Sequence, residues 1–379
     1  MRKIIHIKSL LLFTLIIAAL SSCRKDPKVT PEEVTGISDP DLVKKSSFYL
    51  LNEGNMNMNK ASLDFFDHQK GVYRRNIFEY TNPGITKGLG DVGNDMGIYG
   101  SKLYIVVNNS HQVEVLNALT GKHIGKIDIV NCRYITFHNG KAYVSSYQSR
   151  IGGNSSANGY IARIDTASFQ IEKTVTVGRQ PEEMAITGGK LYIANSGGYD
   201  PGQYESTLSV IDLNSFTEIK RIEVAINLHR VKADKYGDLY VTSRGDSYNI
   251  PSKLFVIDTG TDEIKKTFDI AATNLCIDND LAYIIGVQFS YPLQKNTISY
   301  AILNVKDESI LSRNFITDGT ERSIDRPQGI AIDPHTKDIY VTDAKDFVTP
   351  GTLYCFDKNG RKKWSVFTGD TPAHFAFIN

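Results

Sequence analysis

The chain has 379 residues, 43 Lys and Arg against 42 Asp and Glu, and 41% hydrophobic residues. Such balanced charge excludes the basic faces that bind nucleic acid or a broad anionic membrane surface, and the apolar fraction is that of a folded chain. The four cysteines form no CxxC, and with Cys23 set aside, Cys132, Cys276 and Cys355 read as buried free thiols in strands.

The first element is a leader. Arg2, Lys3 and Lys8 precede an apolar run, Leu10 to Leu20, interrupted only by Thr14. The run is too short to span a bilayer comfortably and has the layout of a secretory signal. Leu20-Ser21-Ser22-Cys23 follows and resembles a bacterial lipobox. Residues 1–22 are therefore expected to be a signal peptide, with Cys23 lipidated as the mature N-terminus. Removing the three basic residues of 1–22 leaves 40 basic against 42 acidic residues. Residues 23–45 read as a flexible tether, so the membrane is met only through the lipid anchor. The expected location is the cell envelope, as an outer-membrane lipoprotein exposed at the cell surface.

From residue 46 one pattern recurs: a small or apolar residue, Tyr, then a β-branched or aliphatic residue. It starts at Phe48 (FYLL), Leu103 (LYIV), Ala142 (AYVS), Leu191 (LYIA), Leu239 (LYVT), Ala282 (AYII) and Ile339 (IYVT). Turn residues precede each copy. A polar loop follows, then a strand often ending in Asp (LSVIDLNSF, LFVIDTGTD), then a strand of alternating charge (EIKRIEVA). Four short strands per unit and seven units predict an all-β, seven-bladed β-propeller over 46–379. The first unit begins at the strand that is second elsewhere, and the chain ends on TPAHFAFIN, Thr371 to Asn379. That C-terminal strand is expected to complete the first blade and close the ring.

IYVTD (Ile339 to Asp343) and LYVTS (Leu239 to Ser243) resemble the YVTN repeat of surface-layer and YncE-like propellers. With the lipobox, the chain resembles the propeller lipoproteins of Bacteroidetes, including the BtuG type. That resemblance implies capture of cobalamin, with no other cofactor, beside a TonB-dependent outer-membrane transporter.

In such a ring a ligand sits at the mouth, where the innermost strands begin and the second strands end. Aligned on their tyrosines, the units place Asp95, Tyr134, Glu183, Arg230, Asn274, Gly329 and His374 there, preceded by Asn94, Arg133, Glu182, His229, Thr273, Gln328 and Ala373. This mixture suits a large neutral ligand rich in hydrogen-bonding groups. The long loops 145–160, 195–206, 243–252 and 287–296 add Tyr147, Tyr199, Tyr248, Phe289 and Tyr291, with Arg150 and Arg244 beside them, among Gly, Ser, Asn and Gln. Aromatics among small polar residues mark recognition loops. With Asn52 and Asn108, the candidate ligand-binding set is Asn52, Asn108, Arg133, Tyr134, Tyr147, Glu183, Tyr199, Arg230, Arg244, Tyr248, Tyr291, Gln328 and His374.

Gly88-Leu89-Gly90-Asp91-Val92-Gly93 spells GxGxxG but lacks the strand before and helix after that a nucleotide site needs. No HExxH, P-loop or GxSxG occurs. Three scattered histidines, His111, His229 and His374, could ligate a metal but read more readily as surface residues, and Glu182, Glu183 and Asp95 are candidates for acid–base work. The expectation is a monomeric, non-catalytic protein that captures a small molecule, a corrinoid first. The alternatives are a propeller that binds or cleaves carbohydrate, and a scaffold for protein partners.

Overall fold

The computed structural model describes residues 32–378 apart from 150–155, 199, 201, 247 and 291–293. Seven antiparallel sheets form the ring, six of four strands and one of five. The innermost strands of blades 2 to 7 are Gly93–Tyr99, Cys132–His138, Pro181–Thr187, Leu228–Ala233, Asn274–Asp278 and Pro327–Ile332. Blade 1 takes its innermost strand, Pro372–Ile378, from the far end of the chain. It pairs with Ser47–Asn52 from Ser47↔Ile378 to Asn52↔Pro372. The ring thus closes as the sequence predicts.

Burial explains the repeat. Second strands such as Ser47–Asn52 and Asp238–Ser243 are buried at every position, because a blade is covered on both faces. Outermost strands such as Glu263–Phe268 are exposed at all but the last residue. The repeat tyrosines, Tyr49, Tyr104, Tyr143, Tyr192, Tyr240, Tyr283 and Tyr340, are all at most 7% exposed. Several reach across to the next blade: Tyr49 Oη donates to the Ala118 carbonyl (3.0 Å), Tyr104 Oη to Thr166 (3.2 Å) and Tyr240 Oη to Val305 (3.4 Å). The phenol adds area for blade stacking, and its hydroxyl ties off a turn carbonyl on the neighbour. Among the described residues the core consists of seven apolar clusters, one at each blade interface. The closing interface is aromatic: Phe48 lies 4.8 Å from Tyr340, 5.1 Å from Phe66 and 5.5 Å from both Phe375 and Phe377.

Three features depart from the sequence reading. Residues expected in the tether are built into blade 1: Glu33–Gly36 pairs outside Val72–Arg75 as a fifth strand, and Leu42–Lys44 forms a 3-10 turn. The Lys45 side chain is fully buried, bonded to Asp338 and 3.2 Å from Asp39. A helix of one turn, Ile77–Thr81, buries Ile77 and Phe78 between blades 1 and 2 and is too short to show a 3.6-residue period. The expected loop 287–296 is the end of a hairpin, with Leu281–Ser290 and Lys295–Asn304 paired from Leu281↔Asn304 to Ser290↔Lys295. Of the cysteines, Cys132 and Cys355 are buried and Cys276 half-buried, all three free and in strands. Burial pushes the Cys132 thiol up to about 12.

Candidate functional site

The mouth is built by bulges. Where innermost strands begin, the pairing register shifts in six of the seven blades, at Gly93/Asp95, Cys132/Ile135, Pro181/Met184, Leu228/Val231, Pro327/Ile330 and Pro372/His374. A bulge leaves consecutive residues out of the ladder and re-aims their side chains. Both members of Arg133-Tyr134, Glu182-Glu183 and His229-Arg230 are released in this way. The freed N–H groups are satisfied from the second strand: Tyr134 N–H donates to Ser145 Oγ (3.0 Å), Arg230 N–H to Thr242 Oγ1 (3.0 Å) and Gly329 N–H to Thr342 Oγ1 (2.7 Å). In these three blades the hydroxyl stands two residues after the repeat tyrosine. Gly329 is required because a Cβ there would lie 2.4 Å from the Ala373 carbonyl oxygen of the closing strand.

An ion-pair network occupies the bulges of blades 3, 4 and 5. Glu182, 1% exposed, accepts from Arg133 (3.0 Å), Arg244 (3.1 Å) and Tyr147 Oη (2.6 Å). Burial alone would raise its carboxyl, but Arg133, Arg244 and Tyr147 override this and hold it at about 2. Glu183 accepts from Lys232 (2.7 Å) and the Val231 N–H (3.0 Å), and Arg230 stands 3.7 Å away. Tyr134 Oη and His229 Nε2 lie 2.8 Å apart. Burial, then the positive charges of Arg244, Arg230 and Arg133, push His229 well below its ordinary range, so the ring is neutral. Further round, His374 lies between Glu53 (3.1 Å) and Asp95 (3.6 Å), and Asp95 accepts the Ile135 N–H (2.9 Å). Asn94 and Asn274 donate to the Arg133 and Gln328 carbonyls of neighbouring blades.

Two cavities open beside this network. One of about 420 Å³ runs down the channel, lined by Asp95, Glu183, Arg230, Lys232, Asn274 and His374 with apolar residues below. The other, of about 400 Å³, lies at the rim of blades 5 to 7. Its polar wall is His229, Arg230, Arg244, Gln288, Asn296, Arg326 and Gln328, and Phe289 and Phe347 supply apolar faces. Both volumes are in the range of small-molecule sites.

A family model covers most of this ring. The chain belongs to the DUF5074 family, a domain of unknown function, matched over residues 46–377. No curated protein matches the chain. Solved structures share the fold: the periplasmic gluconolactonase of Pseudomonas aeruginosa (TM-score 0.61, 10% identity, 88% of this chain and 99% of that one) and a hypothetical selenium-binding protein from Sulfolobus tokodaii (0.63, 10%, 88% and 93%). A quinonprotein alcohol dehydrogenase-like protein from Bacteroides thetaiotaomicron is similar at TM-score 0.57 and 16% identity, over 89% of this chain and 79% of that one. At these identities the likeness is one of fold.

The structure brings Arg133, Tyr134, Tyr147, Glu183, Arg230, Arg244, Gln328 and His374 together at the mouth. Tyr134 and Tyr147 are buried, at 3% and 4% exposure, and are tied to His229 and Glu182 rather than presented as open stacking faces. Asn52 and Asn108 correct the sequence reading: both are 0% exposed and lie behind the wall. Asn52 donates to Ser62 Oγ (3.1 Å), and Asn108 to Asn131 Oδ1 (2.6 Å) and the Cys132 carbonyl (2.8 Å). Tyr248 is 76% exposed, on a loop whose 248, 249 and 250 N–H groups all bond Asp246 Oδ1. Cys23, Arg150, Tyr199 and Tyr291 lie outside the described residues. Sequence reasoning missed Arg326 and Phe347, whose guanidinium and ring centroid are 4.4 Å apart. Arg326 opens the RPQGIAID stretch and Phe347 stands in the second-to-third-strand loop of blade 7, so the unit alignment held the signal. Of the histidines, His111 Nδ1 is held by its own turn, 3.1 Å from the Asn108 carbonyl oxygen and from the Asn131 N–H. The one grouping at metal-holding spacing among the described residues, Asp39, Asp338 and Cys355, contains no histidine and packs around the Lys45 and Lys363 ammoniums.

Proposed function

We propose that the protein is a lipid-anchored capture protein of the cell envelope whose mouth binds a large amide-bearing ligand, a corrinoid first, for transfer to a TonB-dependent transporter. The observation that carries this reading is the rim cavity. Gln288, Asn296 and Gln328 offer donors and acceptors beside the guanidiniums, and Phe289 and Phe347 cover apolar edges. A corrinoid presents amide side chains around a flat ring and exceeds 400 Å³, so it would enter by one edge and spread over the mouth. Of the candidate acid–base carboxylates, Glu182 and Glu183 are engaged by Arg133, Arg244 and Lys232. A carboxylate held ionised by two guanidiniums is a poor proton donor, which supports capture rather than turnover.

Titration of cyanocobalamin into the full chain, followed by calorimetry and the corrin spectrum together, tests this. One-to-one binding that weakens at least tenfold, about 1.4 kcal/mol, in Phe289→Ala or Gln328→Ala is the expected result. Heat and spectrum that stay flat at micromolar protein overturn the corrinoid reading and turn the search to glycans.

A further inference from the structure

The rim cavity is polarised in a way that the channel is not. Asp95 and Glu183 line the channel, but among the described residues no Asp or Glu lines the rim cavity, whose wall includes Arg230, Arg244 and Arg326. Each guanidinium is differently committed. Arg244 shares Glu182 with Arg133. Arg230 is 4% exposed, and its Nε has no hydrogen-bond partner among the described residues. Its nearest carboxylate oxygen is 3.7 Å from Nη1 and already accepts from Lys232. Arg326 donates through Nε to the Lys345 carbonyl (3.2 Å) and has no ion pair among the described residues. Beside them, the Phe347 ring centroid is 4.4 Å from the Arg326 guanidinium, and Phe289 is 43% exposed. A buried donor without an acceptor costs free energy, and three guanidiniums on a concave wall, of which Arg326 has no ion pair among the described residues and Arg230 only a shared carboxylate, focus positive potential into it.

We infer that the rim cavity is an anion subsite, taking a carboxylate or phosphate group of the ligand between Arg230 and Arg326, with the flat apolar group that bears it against Phe289 and Phe347. This rests on the reading of the mouth as the ligand-binding face and names the chemistry of one part of the ligand. Arginine suits the role because its planar fork meets both oxygens of a carboxylate or phosphate. The neutral His229 adds no charge of its own: burial first, then the charges of Arg244, Arg230 and Arg133, suppress its protonation.

The probes are phenyl phosphate, benzoate and, as the uncharged control, benzyl alcohol, titrated separately into the full chain. The readout is the Nε–Hε resonances of the arginines, assigned through Arg230→Gln and Arg326→Gln. Phenyl phosphate or benzoate should move the Arg230 and Arg326 signals saturably, and benzyl alcohol should bind at least tenfold more weakly. Whichever anion binds tighter identifies the group. Arg326→Gln, at a half-buried position, should weaken the anion about tenfold with the melting temperature unchanged. Equal affinity for the neutral probe, or arginine signals that stay still, overturns the subsite. The two proposals fail separately. Anions that bind while cyanocobalamin does not leave the subsite and remove the corrinoid reading, and cyanocobalamin binding that Arg326→Gln does not weaken does the reverse.

Discussion

His229 is a neutral imidazole in a nest of cations, and this gives the fold a definite pH dependence. Tyr134 faces its Nε2, and burial first, then Arg244, Arg230, Arg133 and His374, oppose its protonation. An unfolded histidine takes up a proton below about 6.5. The folded one does not, so below that pH the unfolded state binds more protons and stability falls as pH falls. The slope is about 1.4 kcal/mol per pH unit. Thermal unfolding at pH 8 and pH 5 should show a larger loss in the native protein than in His229→Gln, and the difference between the two curves isolates this residue. A difference of zero would mean that His229 is accessible to protons in the fold. Glu182 acts in a separate window: its carboxyl is depressed to about 2, so its stabilisation is complete above about 4.5 and is lost as pH falls towards 2. The sequence could name these residues but not sort them. Asn52 and Asn195 stand three residues after the repeat tyrosine and Asn108 four after it, and at Asn52 and Asn108 the amide reads as a ligand donor. In the structure these amides tie strands together, Asn195 donating to Thr207 Oγ1 and Ser209 Oγ of the third strand of its own blade and Asn108 to the Cys132 carbonyl of the next. An amide has the same donors for either task, and only burial separates them.

At the scale of elements, the segment before residue 46 is the least legible and the most testable. Its residues are charged and proline-bearing, which by composition is a tether. In the fold Asp39 accepts from Lys363 (2.8 Å) and Trp364 Nε1 (3.0 Å), Lys363 also meets Asp41 (3.0 Å) and Asp338 (3.1 Å), and Ser46 N–H donates to Asp333 (3.1 Å). The partners lie some 300 residues away in blade 7, beyond any local pattern. Blade stacking, by contrast, was legible because one tyrosine per unit serves all seven interfaces. A chain lacking 24–45 should therefore melt well below one lacking 24–31, although the family match begins at residue 46. Within that clasp, Lys45→Met leaves Lys363 as the one cation beside two buried carboxylates, Asp39 and Asp338, and should cost roughly 3–5 kcal/mol. Lys45→Met with Asp338→Asn should recover part of this. Equal melting of the two truncated chains would return residues 32–45 to the role of tether.

For the whole molecule, stability depends on the ring being shut. Each interface buries one apolar cluster, and no blade covers both of its own faces. The closing strand contributes Phe375 and Phe377 to the cluster between blades 7 and 1, and Ala376 to the cluster between blades 1 and 2. It also supports the mouth, since Thr342 Oγ1 donates to the Pro372 carbonyl (2.6 Å) and His374 meets Glu53 and Asp95. Deleting Ala373 to Asn379 therefore strips Ser47–Asn52 of its partner and opens two interfaces at once. The expected outcome is loss of a single cooperative transition, with the remaining blades unfolding at lower temperature or aggregating through the exposed strand edge. A second chain carrying only His374→Ala separates the two contributions: it should keep the cooperative transition, because the strand and its aromatic packing survive. If the deletion instead melts as the intact chain does, Ser47–Asn52 needs no partner on its inner side, and closure contributes nothing to holding the ring.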